Sequence, residues 1–508
     1  MDEKVGIVFN YNQFPDVSQF PFVINDKKNS ALVKKGLFVY TKSTEGFLIG
    51  IIEKIVLLNE YFSDALTIKA YNDDNNPNIL KGLFPSDDFE FAVALVKNLG
   101  IITFKDEDKT IIDKIQRMTY PASPGAGVFL VNEVLIKSFL GLDVKSGLDV
   151  GTIKVSDIPA NIDMNRLINK HLGILAISGA GKSYLTSVLM EELLTRDQEY
   201  GNPAIILIDV HGEYTYLKEI PHLNTKINLQ DASFFQIAVP KMEAYSYRKY
   251  QDKISSVQVR ELSNYIKNLK KNDEKKRNFS IHDIIEELEN DPEGSKNTKQ
   301  ALIGWLSEIN SLRLFGPQEN PLLNNVVKQG ELTIFDLQKE VSIKKKQIIL
   351  DYICSRLFYM RRMNQIPPFF LIIEEAHQFC PEAAHSKAIS KPIIETIARE
   401  GRKFMACLCL ISQRPKKLST TALSQLNSKM ILNIKNPYDL KHLMESSEAI
   451  TKEYAAMISS LGVGEMLLMG NAINYPIFID IRERKYQSQI ENESLSKACL
   501  NWQKRQSN

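Results

Sequence analysis

No apolar run in this 508-residue chain approaches the roughly 20 residues that a membrane-spanning helix needs, so an integral membrane protein is not expected. The five cysteines, Cys354, Cys380, Cys407, Cys409 and Cys499, form no CxxC pair, which argues against a zinc site. Four of them lie in or beside apolar runs, and buried free thiols in a reducing cytoplasm are expected. Excess charge is lacking too. With 63 basic and 61 acidic residues the net charge is +2, so bulk charge points to neither nucleic acid nor membrane, and any basic surface must be local. The opening residues "MDEKVGIVFNYNQF" show no basic-then-apolar leader. There is no internal repeat, heptad array or low-complexity tract, and no recognisable nuclease constellation.

What is present is an ordinary globular composition, 44% apolar and 24% charged, on a chain too long for one hydrophobic core. Two or three domains are expected. Over the first 75 or so residues, "KVGIVFN", "FPFVIN", "GLFVYTKS", "GFLIGIIEKIVLL" and "ALTIKAY" predict short strands of a small β-barrel or sandwich. Next, "SDDFEFAVALVKNLG" has helical spacing, and "TYPASPGAGVFL" predicts a loop that links domains or meets a subunit. Near Gly151 the pattern changes. "HLGILAIS", "PAIILIDV", "FFLIIEEA", "ACLCLISQ" and "SKMILNI" are strands apolar on both faces, alternating with helices, which means a parallel α/β sheet. The expected division is a barrel and linker over 1–145, an α/β domain over 146–485 with a charged helical insertion at about 240–345, and a polar helix or tail over 486–508.

The strand "HLGILAIS" enters a turn of small residues followed by Gly-Lys-Ser. Against the phosphate-loop pattern G-x-x-x-x-G-K-[ST] the chain reads Ala176 to Ser183, with Ala at the first position. Gly179 and Gly181 stand where backbone must approach phosphate. Ser178, Gly179, Ala180, Gly181, Lys182, Ser183 and Tyr184 form the candidate cradle. Lys182 would reach the β- and γ-phosphates of ATP, and the Ser183 hydroxyl would take Mg²⁺.

Hydrolysis needs more than a cradle. The run Phe369–Ile373 delivers Glu374 and Glu375 to a strand's C-terminal edge, where ligands of open α/β sheets sit. Glu374 is the candidate Mg²⁺ holder and Glu375 the group that orients and polarises water. A second strand ends in Asp209, His211, Glu213 and Tyr214. It follows the phosphate-loop helix by one crossover, which would put its tip beside the phosphates. Asp209, a candidate nucleotide-site residue, and Glu213 there either support Mg²⁺ or the attacking water, or are turn and cap residues. A third strand ends in Ser412-Gln413-Arg414-Pro415, with Gln413 the candidate γ-phosphate sensor. Ahead of it, Arg399 and Arg402 share a helical face and are candidates for a finger acting on a neighbouring chain's nucleotide, or else line a solvated helix.

Two stretches could face nucleic acid. Ala244–Arg277 holds ten Lys/Arg against four Asp/Glu, interleaved with Tyr245, Tyr247, Tyr250 and Tyr265, a pattern a solvated helix also shows. "RPKKLS", Arg414 to Ser419, leaves the sheet edge directly from the Gln413 strand and is the better candidate.

Together "HLGILAISGAGKS", "IDVHGEY", "IIEEAH", "IAREGRKF", "LISQRP" and "LSQLNSKMIL" resemble, in order and spacing, the HerA family of the FtsK/HerA translocases, over residues 150 to 485. "GLFVYTKSTEGFLIGIIEKI" is similar, more weakly, to the small barrel that precedes the ATPase in that family. The resemblance implies an α/β P-loop NTPase with a RecA/FtsK-like sheet and helical insertion, preceded by a small N-terminal β-barrel. It implies a cytoplasmic homo-hexameric ring with ATP and Mg²⁺ between subunits and double-stranded DNA in the pore. It implies Lys182, Ser183, Glu374, Glu375 and Gln413 in cis, Arg399 or Arg402 in trans, and a docked partner, either a NurA-like nuclease or a sirtuin-like or other defence effector. The expected activity is ATP-driven DNA translocation. The alternative is a ring ATPase that activates an effector and translocates little.

Overall fold

The structure, a computed structural model, describes the chain apart from residues 1–2, 11–13, 25–30, 60–61, 63–64, 66–67, 70–89, 106–111, 272–277, 293–295, 383–386, 448–449, 487–495, 497–498, 501 and 504–508. Two compact units emerge. One comprises Met1–Gly147, Gly151–Asn161 and Ile473–Asp480; the other comprises Leu148–Val150, Ile162–Ala472 and Ile481–Asn508.

The first unit contains β1 (Lys4–Val8), β2 (Gln19–Ile24), β3 (Phe38–Ser43), β4 (Gly46–Asn59), β5 (Glu90–Phe104), β6 (Ile112–Gln116) and β7 (Gly127–Leu130) in the order β2-β1-β7-β3-β4-β5-β6. β2 also pairs antiparallel with β5, from Gln19↔Lys97 to Val23↔Val93. That pairing closes six strands into a barrel and leaves β6 on its outside. Val5, Phe20, Phe22, Val39, Leu48 and Val96 fill the interior. The helical spacing expected of residues 86–100 is overturned, since Glu90–Phe104 is one long strand paired along β4. Ala92, Ala94 and Val96 are buried, and the residues between them are less so, a period of two. Nearly every residue there is apolar, so both periods fit the sequence. The loop expected at "TYPASPGAGVFL" ends in β7, which pairs with both β1 and β3. The strand expected at "ALTIKAY" lies mostly outside the described residues, and Ala65, Ile68 and Lys69 are helical.

Strands β8 (Leu148–Ile153) and β9 (Ile158–Ile162) follow in the chain. The second unit is built on a parallel sheet of β10 (Leu172–Leu175), β11 (Ala204–Asp209), β12 (Ile227–Asp231), β15 (Leu332–Asp336), β16 (Phe369–Ile373), β17 (Ala406–Ser412) and β18 (Ser428–Ile431). Their order is β12-β15-β11-β16-β17-β10-β18, and β19 (Glu465–Gly470) runs antiparallel to β18. β13 (Ile237–Ala238) and β14 (Phe315–Gly316) form a separate pair. Every residue of β10, β11, β16 and β17 is buried, as strands covered on both faces require. The helical insertion spans Ala244–Ser311 as four helices. Leu332–Asp336, inside the span assigned to the insertion, is instead a core strand between β12 and β11. Cys354, Cys380, Cys407 and Cys409 are buried free thiols as expected. Among the described residues no helix is long and apolar enough to cross a membrane.

The helix Lys182–Thr195 is held by a far part of the chain. Its Glu191 is fully buried and Glu192 nearly so. Arg482 bridges them, Nη1 to Glu191 at 3.1 Å and Nη2 to Glu192 at 2.8 Å. The amides of Lys485 and Tyr486 also donate to Glu191. Removing one partner of buried charges leaves the others uncompensated, so Arg482→Ala is expected to cost about 3 kcal/mol. Calorimetry should show a lowered unfolding midpoint for the second unit, and an unchanged midpoint would contradict this assignment.

Candidate nucleotide site

The loop between β10 and the helix Lys182–Thr195 is shaped by two left-handed glycines, Gly179 at φ 78° and Gly181 at φ 100°. A side chain at Gly179 would meet nothing, so the backbone angle is what requires glycine there. Ala176 does not need positive φ. Its amide donates to Ser412 O at 3.2 Å, which explains how this loop tolerates Ala at the first position. Gly181 caps the helix without a side-chain bond, leaving the first amides for an anion. Ser178 and Gly179 are exposed, Ala180 is buried, and Lys182, Ser183 and Tyr184 are half-buried.

Glu375 is the centre of the site. It is 2% exposed and sits at φ 47°, ψ 40°, a left-handed conformation strained for a residue with a side chain. Its Oε1 takes Lys182 Nζ at 3.1 Å. Its Oε2 accepts from Gln413 Nε2 at 3.0 Å and lies 3.3 Å from His377 Nδ1. His377 Nδ1 is also 3.3 Å from Ser412 Oγ. Three adjacent strands, β10, β17 and β16, therefore bring Lys182, Gln413 and Glu375 together at their C-terminal edge. His377 and Ser412 join this group without a role expected from the sequence, although "EEAH" and "LISQ" contain them.

Glu374 is 1% exposed and accepts from Val210 N at 3.0 Å. Burial, with Asp209 and Glu213 nearby, pushes its carboxyl up to about 8. Asp209 does not lie beside the phosphate loop, the place that a single crossover to the next strand predicts. β16 and β17 stand between β11 and β10, so its tip neighbours the carboxylate strand, not the phosphate-loop strand. Its carboxylate accepts from the amides of His211, Gly212, Glu213 and Tyr214, at 3.3, 2.7, 3.1 and 3.0 Å. That is a turn-building carboxylate, one of the two roles left open for it.

Arg399 closes the helix Lys391–Glu400, and Arg402 lies in the 3-10 turn Gly401–Phe404 just before β17; both are exposed. They do not continue one helical face, because the helix ends between them. Gly401 is pressed against Ala406 O, so both arginines sit at the start of β17, opposite the Gln413 end.

Of the nucleic-acid candidates, Ala244–Arg277 is mostly structural among its described residues. Tyr247 and Tyr250 are buried, Tyr265 donates to Asp291, and Lys249 pairs with Asp351. Only Tyr245 of the four tyrosines is exposed. Arg414, Lys416 and Lys417 are exposed, and Lys416 Nζ lies 4.6 Å from the ring centroid of Tyr438, itself 67% exposed.

A phosphate loop, a carboxylate pair on a neighbouring strand and a polar sensor between them, on a parallel sheet, define a P-loop ATPase. Residues 148–357 match the family described as the central domain of helicase HerA. A probable helicase of Methanocaldococcus jannaschii is 28% identical, covering 94% of this chain and 95% of its own. The DNA double-strand break repair helicase HerA of Pyrococcus furiosus is 26% identical, covering 95% and 92%. The solved structure of VirB4 from Thermoanaerobacter pseudethanolicus shares the fold, with a TM-score of 0.52 at 15% identity over 68% of this chain and 99% of that one. The chain belongs to the HerA helicase family and is an ATP hydrolase of that kind.

Proposed function

We propose that the protein is a double-stranded DNA translocase that works as a homo-hexameric ring with a partner nuclease or other effector. The observation that carries its motor chemistry is the contact of Glu375 with Lys182 and Gln413, a base, a phosphate-binding cation and a sensor in one hydrogen-bonded group. Lys182 binds the β- and γ-phosphates, and Ser178 to Tyr184 cradle the nucleotide. Glu375 orients and accepts a proton from the attacking water. Gln413 reports the γ-phosphate to the Arg414–Lys417 turn, where exposed lysines beside Tyr438 suit a DNA backbone. Asp209 holds the turn that presents Val210 N to Glu374.

Mg²⁺ fits the oxygens of Ser183 and Glu374, a hydroxyl and a carboxylate of the hard type that cation takes. Among the described residues no group of three His, Cys, Asp or Glu could hold a metal by itself, so the nucleotide's phosphates would complete the shell. Bound there, it supplies charge neutralisation for the transferring phosphoryl group.

Two measurements test this reading. Duplex DNA should stimulate ATP hydrolysis, and Lys416→Ala with Lys417→Ala should reduce that stimulation several-fold while leaving basal hydrolysis intact; equal stimulation would remove the DNA contact from this turn. Glu374, raised to about 8, holds a proton near neutral pH and must lose it to take a cation. Nucleotide binding with Mg²⁺ near pH 7 should therefore release more protons in the wild type than in Glu374→Gln, by up to about one, and the excess should vanish above pH 9. Calorimetry in buffers of differing ionisation enthalpy reads this directly. An excess that does not shrink with rising pH would refute it.

A further inference from the structure

The helix Lys182–Thr195 turns about 100° per residue, so Tyr184 points roughly 200° away from Lys182 around its first turn. Lys182 faces Glu375 and Gln413, the γ-phosphate end. Tyr184 therefore stands on the side of the loop away from that end.

Something has been brought to Tyr184 from 300 residues away in sequence. The Arg484 amide donates to Tyr184 Oη at 2.9 Å. The Arg484 guanidinium lies 4.4 Å from the Tyr184 ring centroid and 6.0 Å from that of Tyr216. Tyr216 is buried, while Tyr184 and Arg484 keep partial exposure. The position is built, because the flanking residues Arg482, Lys485 and Tyr486 are all fastened to Glu191 and Glu192 on the same helix. A solvated arginine needs no such anchorage. A guanidinium lying over a tyrosine ring offers a flat cationic face, a surface on which nucleobases stack.

We propose that Arg484, stacked on Tyr184, is the platform for the purine base of the bound nucleoside triphosphate, delivered to the phosphate-loop helix by the segment Arg482–Tyr486. This rests on the assignment of the triphosphate to the loop. Stacking uses the face of the base and not its edges, so the platform holds adenine and guanine alike.

The test compares wild type with Arg484→Ala, Arg484→Lys and Arg484→Gln in the full-length protein. KM and kcat are measured for ATP and GTP, with binding of inorganic tripolyphosphate, which has no base. Arg484→Ala should raise KM about tenfold for both nucleotides, leave kcat within about twofold and leave tripolyphosphate binding unchanged. Arg484→Lys should not restore KM, because it keeps the charge and loses the plane. If Arg484→Ala fails to fold, Arg484→Gln, polar but uncharged, carries the same comparison. An unchanged KM, a loss confined to one base, rescue by lysine, or an equal loss of tripolyphosphate binding would overturn the platform. If the wild type binds neither ATP nor tripolyphosphate, the loop assignment itself fails, and that result is distinct from all of these.

Discussion

Glu375→Gln is expected to bind ATP at least as tightly as the wild type and to hydrolyse it about 10²–10⁴-fold more slowly. The substitution keeps the shape that fits a buried, left-handed position and keeps hydrogen-bonding atoms toward Gln413 and His377. It removes the charge that polarises water. It also removes the partner that holds Lys182 at 3.1 Å when no phosphate is present. In the wild type the nucleotide must take Lys182 away from Glu375, so the neutral variant frees that lysine in advance. Lys182→Ala should do the opposite, losing binding and turnover together. Equilibrium binding of a fluorescent ATP analogue, set beside single-turnover hydrolysis, separates the two. Near wild-type turnover by Glu375→Gln would remove the catalytic base from β16.

These residues were legible because each motif is local: a few small residues between a strand and a helix, or a carboxylate at the end of five apolar residues. The closeness of Lys182, Glu375 and Gln413 also followed, since apolar strands of this type deliver their tips to one edge. Strand order did not follow. The crossover after Lys182–Thr195 skips two places, so Asp209 lands beside Glu374, and nothing within β11 marks that. Glu90–Phe104 was ambiguous because an almost wholly apolar segment carries both periods, and only its pairing with β4 and β2 decides between them. Tyr247 and Tyr250, spaced among lysines, resemble a nucleic-acid surface until packing buries them. The Arg482–Tyr486 segment was invisible for a simpler reason. Its partners Tyr184, Glu191 and Glu192 lie about 300 positions earlier, and a short charged run carries no sign of where it will dock.

Arg399→Ala and Arg402→Ala are the test of coupling between chains, and one of them is expected to lower hydrolysis by about 10³–10⁵-fold. Both arginines stand at the beginning of β17, whose seven residues run from Ala406 to Ser412. At about 3.3 Å per residue that strand separates them from the Gln413 edge by roughly 20 Å. An arginine side chain does not span such a gap, so neither can serve the phosphate loop of its own chain. Both are exposed, so each is placed to meet another chain. The decisive experiment mixes inactive variants. Arg399→Ala chains keep an intact phosphate loop, and Lys182→Ala chains keep the arginine. Each alone should be nearly inactive, whereas mixed assemblies should regain part of the activity wherever an intact loop faces an intact arginine across an interface. The same mixture with Arg402→Ala assigns the finger to one residue or the other. If mixed assemblies form, as differently tagged chains that co-purify would show, and neither pairing restores hydrolysis, these arginines do not act across the interface, and their exposure at the start of β17 serves another contact.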